Sequence, residues 1–242
     1  MSTEPAPAPT AQLPAAVDGV IQRMKQIDGS LAAADGVACF NRMYLTVTEL
    51  VAAKLTEGFF EDGAFIERMD VLFASLYFRN VDAGSAGWPV NPAWGPLIAA
   101  RGEGDRVLPI QFALSGMNAH INHDLALAVI LTCQERGTTP EAPSVHADYQ
   151  KVNQLLSQVE AQVRAEFEPE RLRLETAEAE PLEHILSSFT IDAARDAAWL
   201  SVQSLWAQRE VRFAYDLSCD ALARAVGMAG RLLLTPVVRA AA

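Results

Sequence analysis

Between residues 116 and 125 the chain reads Gly-Met-Asn-Ala-His-Ile-Asn-His-Asp-Leu. Asn118, His120, Asn122, His123 and Asp124 thus crowd into two turns of any helix formed there. Residues four apart on a helix share a face, so His120 and Asp124 stand together beside Met117, Leu127 and Leu131. Asn118 and Asn122 pair on the neighbouring face, and His123 lies one turn from His120. A carboxylate beside an imidazole orients it and raises its basicity, which makes His120 a candidate general acid or base and Asp124 its partner. Asn118 and Asn122 would then orient a substrate or polarise a carbonyl, with His123 as a further binding residue. Two other readings use the same residues. His120 and Asp124 could ligate a metal together with side chains from other helices, as helical bundles do. Or the cluster is structural and pins the bundle, each buried polar group being tolerated because it finds a hydrogen-bond partner.

The elements that must position this cluster read as helices throughout. Leu13 to Ile27, Ala38 to Leu55 and Ala64 to Asn80 have apolar residues at helical spacing, with Asp62 as the cap of the third. Residues 82–96 hold glycines, prolines, Trp88 and Trp94, and read as a long loop, either a lid or a plug whose tryptophans fill the core. Arg106 to Arg136 reads as one long helix or two, with Pro109 in its first turn, Gly116 as a bend or a point of close packing, and Gly137 and Pro140 at its end. From Leu125 to Cys133 it is apolar on every face, which puts it at the centre of a bundle. Further helices are expected from Val145 to Phe167, from Ile191 to Gln208 after the cap Thr190, and from about Arg209 to Leu234.

Weaker candidates lie on these later helices. Asp148 and Asn153, with His146 and Tyr149, could line a binding site, although Asp148 also suits a helix dipole. Trp199 could form a substrate wall or simply core. Arg195 and Asp196 could be a surface pair of little energetic weight. Glu180 and His184 have an ExxxH spacing, but no HExxH motif occurs, and neither does the paired ExxH of carboxylate-bridged di-iron helices. No cofactor is expected. The chain also lacks a P-loop, a GxGxxG turn after a strand, a GxSxG elbow and a kinase signature.

The net charge is −11 at pH 7 over 242 residues, which disfavours nucleic acid and anionic membrane as partners and leaves a small molecule as the expected one. Cys39, Cys133 and Cys219 are far apart and odd in number, so core thiols in a reducing, cytoplasmic compartment are the expectation. The Pro- and Ala-rich residues 1–14 have neither a basic nor an apolar signal region and read as a disordered tail. Lysine is scarce beside arginine and alanine is abundant, a usage that suggests a bacterial source.

The string at 116–125 resembles the signature of a helical family of bacteria and fungi known only as a domain of unknown function. Met43-Tyr44, Phe73-Ala74 with Tyr77, Pro92-Ala93-Trp94, Asp148-Tyr149 with Val152-Asn153, and Ala194 to Trp199 are similar to it as well. The resemblance covers most of the chain after the tail and implies an all-α fold. It also implies that His123, where the family often has a basic residue, matters less than Asn118, His120, Asn122 and Asp124. It supplies no reaction and is compatible with specialised metabolism. The expectation is therefore an all-α protein, a single-domain helical bundle over residues 15–242 around one long central buried helix. Three functions stay open: a metal-free acid–base enzyme of the lyase, cyclase, isomerase or hydrolase type, a metal-dependent enzyme, and a non-catalytic ligand- or partner-binding protein. The sequence does not indicate an oligomeric state.

Overall fold

A computed structural model of the chain describes residues 16–156 and 190–237. The tail 1–14, the continuation of the helix expected to reach Phe167, and Glu180 and His184 lie outside the described residues. The fold is all-α: α1 (Val17–Ser30), α2 (Gly36–Thr56), α3 (Gly63–Ser85), the short α4 (Gly95–Ala100), α5 (Pro109–Ala119), a π-helical turn (His120–Asp124) and α6 (Leu125–Arg136). A helix that starts at residue 143 and is described to residue 156 follows as α7, then α8 (Ile191–Gln208) and α9 (Arg212–Leu233).

Local chemistry sets the ends of these helices. Asp62 accepts a hydrogen bond from the Phe65 N–H at 2.9 Å, and Thr190 accepts one from the Ala193 N–H at 3.2 Å, each satisfying a donor that a helix start leaves open. Gly137 closes α6 with a left-handed φ of 62°, a conformation that glycine adopts without strain. Asp148 on α7 caps a helix other than its own: its carboxylate accepts the N–H groups of Glu61 and Asp62 at 2.8 and 2.7 Å, just ahead of α3.

The third helix outruns its sequence pattern. It continues through Asp82 and Gly84 to Ser85, so the loop expected over 82–96 shortens to residues 86–94. Tertiary contacts hold the extra turn. Asp82 accepts from Arg23 of α1 at 2.6 Å, Val81 is buried, and Gly84 packs so closely under Ile98 that a Cβ there would come within 2.7 Å of it.

The run α5–π turn–α6 is the long central helix. α2 and α9 pack on its first half, α3 and α8 on its second, and the π turn touches α3, α8 and α9. Ile110, Phe112, Ala113, Leu114, Met117, Ala119, Leu125, Ala126, Ala128, Val129, Ile130 and Cys133 are all buried. An apolar stretch with no solvent face is stable only in such surroundings.

A candidate active site at a π-helical turn

The helix changes its winding where the polar residues sit. The Leu125 N–H donates to the His120 carbonyl, five residues back instead of four, and the ladder widens for one turn. Such π turns are uncommon and concentrate at functional sites. Here the turn brings both histidines onto one carboxylate. His120 Nδ1 lies 3.2 Å from Asp124 Oδ2, and His123 Nδ1 lies 2.7 Å from Oδ1. The indole N–H of Trp94 donates to Oδ2 at 2.9 Å. Asp124 is only 1 % exposed, so three donors converge on one buried carboxylate.

These contacts fix the protonation pattern. Burial alone would raise Asp124, but the hydrogen bonds from His120 and His123 outweigh it and hold the carboxyl below its usual range. An ionised Asp124 accepts, so His120 carries its proton on Nδ1 and donates. Burial lowers the pKa of His120 despite the neighbouring carboxylate, and the imidazole is neutral. Its Nε2 therefore presents an unprotonated lone pair. His123 is bonded at both nitrogens, with Asn91 Nδ2 donating to its Nε2 across 3.5 Å. The loop that carries Trp94 is itself tied down: the Asn91 N–H donates to Asn80 Oδ1 at 2.8 Å, and the Ala93 N–H to Asn91 Oδ1 at 2.9 Å. Trp94 is thus both core packing and a hydrogen-bond donor.

Aromatic rings clamp His120. Phe73 stacks on it with ring centroids 3.5 Å apart and planes 6° from parallel, while Tyr44 meets it at 4.3 Å and Phe40 at 5.7 Å, both steeply inclined to its plane. Gly116 makes room for Phe40: a Cβ there would lie 2.3 Å from that ring. A ring held from several sides keeps one orientation, as a proton-transfer group requires.

Among the described residues, three buried side-chain atoms have no hydrogen-bond partner: His120 Nε2, Tyr44 Oη and Asp70 Oδ2. Thr48 is near the Tyr44 phenol, but its hydroxyl donates to the Tyr44 carbonyl at 3.0 Å. Unsatisfied buried polar atoms are rare because each costs about 1–3 kcal/mol. All three residues line one cavity. Its other walls are almost wholly apolar, with Met43, Val47, Met69 and Ile121 among them. Burial pushes the Asp70 carboxyl up to about 7. Burial, and next the Asp70 charge, lifts the Tyr44 phenol well above its usual range.

The other residues singled out in the sequence are dispersed. Asn118 Nδ2 donates to the Val226 carbonyl of α9 at 2.9 Å, and Asn122 Nδ2 to Asn118 Oδ1 at 3.2 Å, so this pair faces α9 and does not line the cavity. Asp148 caps the start of α3. Asn153 accepts from the Arg195 guanidinium, and Trp199 packs on His146 and Tyr149, each with centroids 4.6 Å apart. Arg195, read from the sequence as a possible surface residue, is buried. It donates to the Tyr149 carbonyl at 2.8 Å, lies over the Tyr149 ring, and contributes to the cavity wall beside Ile191, whereas Asp196 is exposed.

Sequence reasoning passed over Tyr44 and Asp70 as site residues. Asp70 carried a signal: it falls in the apolar stripe of Ile66, Phe73 and Tyr77, where a carboxylate is out of place. Among the described residues no three His, Cys, Asp or Glu side chains are grouped to hold a metal ion, and no helix is long and apolar enough to cross a membrane. No curated protein and no solved structure matches the chain. A family model does match, over residues 17–236, a span that takes in the central helix, the His–Asp cluster and every wall of the cavity, and the chain belongs to that family, the Family of unknown function (DUF5995).

Proposed function

We propose that the protein is a small-molecule enzyme that moves a proton within the cavity between α2, α3 and the π turn. The observation that carries this reading is the convergence of three unpartnered buried polar atoms, on His120, Tyr44 and Asp70, on one apolar cavity. Grouped titratable residues in a dry, concave site are characteristic of catalysis. His120 Nε2 takes a proton from carbon or oxygen of the substrate, and Asp124 stabilises the imidazolium that forms. Asp70, protonated up to about pH 7, and the Tyr44 hydroxyl donate hydrogen bonds to the oxygen on which charge develops. The proton then returns from His120 to a second position or to a leaving group, which makes the reaction an isomerisation, cyclisation or elimination.

The walls indicate the kind of substrate. On α2 the lining runs from Phe40 to Val51, about 17 Å along the helix, with His120 and Tyr44 at one end and Val51 and Ile66 towards the other. An elongated apolar molecule bearing one carbonyl or hydroxyl group fits such a site. The acidic surface supports the exclusion of nucleic acid, and we place the enzyme in the cytoplasm.

Hydrogen–deuterium exchange into the substrate tests this whatever the product is. The protein is incubated in D₂O with long-chain ketones, aldehydes and unsaturated alcohols, and deuterium uptake is read by mass spectrometry. Exchange that His120→Gln abolishes, in a variant with an unchanged circular dichroism spectrum, is the expected result. Tight binding of these compounds with no exchange would instead favour a carrier that uses the same cavity.

A further inference from the structure

One side of α9 is buried against α4, α5 and α8, through Ala223, Val226, Gly227 and Gly230. The opposite side bears large apolar side chains open to water: Phe213 at 80 % exposed, Leu217 at 60 %, Met228 at 59 % and Leu232 at 72 %. Single exposed apolar residues are ordinary, but four large ones along one helix, a pair towards each end, mark an interaction surface.

The row has a symmetry of its own. Phe213 and Leu217 mirror Leu232 and Met228 about the midpoint between residues 222 and 223. Near that midpoint Ala221 and Ala225 are exposed beside Asp220 and Arg224, and their small side chains let another helix come close. Beside the row runs a line of exposed charges, with Arg212, Asp216 and Asp220 in the first half, where Arg212 lies 3.6 Å from Asp216, and Arg224 and Arg231 in the second. Turned end for end, a second α9 would set Phe213 against Leu232 and Leu217 against Met228, with Asp220 one residue out of register with Arg224 and Asp216 two residues out of register with Arg231, offsets that the long arginine side chains can span. A surface that complements its own reversed copy is what a two-fold contact between identical subunits demands. Arg224 and Asp220 now lie 3.6 Å apart within one helix, both more than two-thirds exposed, so they are free to exchange partners at little cost.

We propose that two copies of this chain associate through an antiparallel α9–α9 contact. The contact would also brace the site. The inner side of α9 supplies the Val226 carbonyl to Asn118, and Gly227 lies against the Pro92 carbonyl, two residues before Trp94, so closely that a Cβ would come within 2.3 Å.

Sedimentation velocity of the full chain over a hundredfold range of concentration tests the proposal. The expected species has twice the 26.2 kDa mass of the chain. Leu217→Glu should weaken association at least tenfold with no change in helical content. Asp220→Arg should weaken it as well, and adding Arg224→Asp to Asp220→Arg should restore it. A monomer throughout the range overturns the proposal. So does a dimer that Asp220→Arg leaves intact, or one that the paired reversal fails to recover.

Discussion

The two sides of the π turn use the same kinds of residue in opposite ways. Towards α9 and the 86–94 loop, every polar group described is matched: Asn122 with Asn118, Asn118 with Val226, His123 with Asn91, and Asp124 with three donors. Towards α2 and α3, His120 Nε2, Tyr44 Oη and Asp70 Oδ2 are left open. Among the described residues the rest of the core follows the first pattern, as when Tyr77 donates to Asn41 at 3.1 Å and Asn41 in turn to the Met24 carbonyl at 2.9 Å. A buried polar residue is therefore no indicator of chemistry in this protein. The informative residue is one whose polar atom is buried and still unmatched.

That contrast is sharpest at Asp124. Removing it as Asp124→Ala strands three buried donors and should cost about 3–5 kcal/mol in urea denaturation. A loss below about 1 kcal/mol would mean that the network is not structural.

Asp70 should behave in the reverse sense. Its carboxyl ionises near pH 4 in the unfolded chain but only near about 7 when folded, so the neutral form stabilises the fold fully at low pH and that contribution declines as pH rises between the two. Asp70→Asn removes the decline, and above about pH 7 the variant should exceed the wild type by up to the order of 4 kcal/mol. The remaining slope should then have the opposite sign. His120, whose pKa is lowered by burial, loses its contribution as pH falls below its ordinary value near 6.5. Parallel stability–pH curves for wild type and Asp70→Asn would break the assignment.

Smaller effects separate the two sides further. Asn118→Ala removes the acceptor of the Asn122 amide and the side-chain donor to the Val226 carbonyl, and should cost about 1–2 kcal/mol with little effect on ligand affinity. Tyr44→Phe removes an unmatched hydroxyl, so it should be neutral or stabilising by about 1 kcal/mol while slowing any turnover. Thermal melts of the two variants side by side should move in opposite directions.

The cluster and its frame were legible because they depend on local rules. Asp62, Thr190 and Gly137 stand at the helix ends that their chemistry favours, and the apolar run after Leu125 called for a central helix. What was not legible depends on tertiary contacts. A period of 3.6 residues carries no mark of a turn wound more loosely, so the π turn was invisible. α3 passes its glycine and Asp82 because Arg23 and Ile98 hold it. Asn118 and Asn122 read as substrate-facing because spacing gives a face but not its neighbour, which is α9. Tyr44 and Asp70 share a cavity with His120 only when α2 and α3 lie side by side.

The π turn has one more consequence, and it concerns insertions and deletions in the gene. A wider turn amounts to one residue more than a regular helix of the same rise would need. Deleting the codon for Ile121 or Asn122 would let the helix rewind regularly, with His120 and Asp124 then three residues apart in place of four. His120 would then meet the carboxylate at a different spacing, while α5 and α6 kept their lengths, their apolar faces and their places in the bundle. A chain of this build can thus change the geometry of its polar cluster in a single step without giving up its fold.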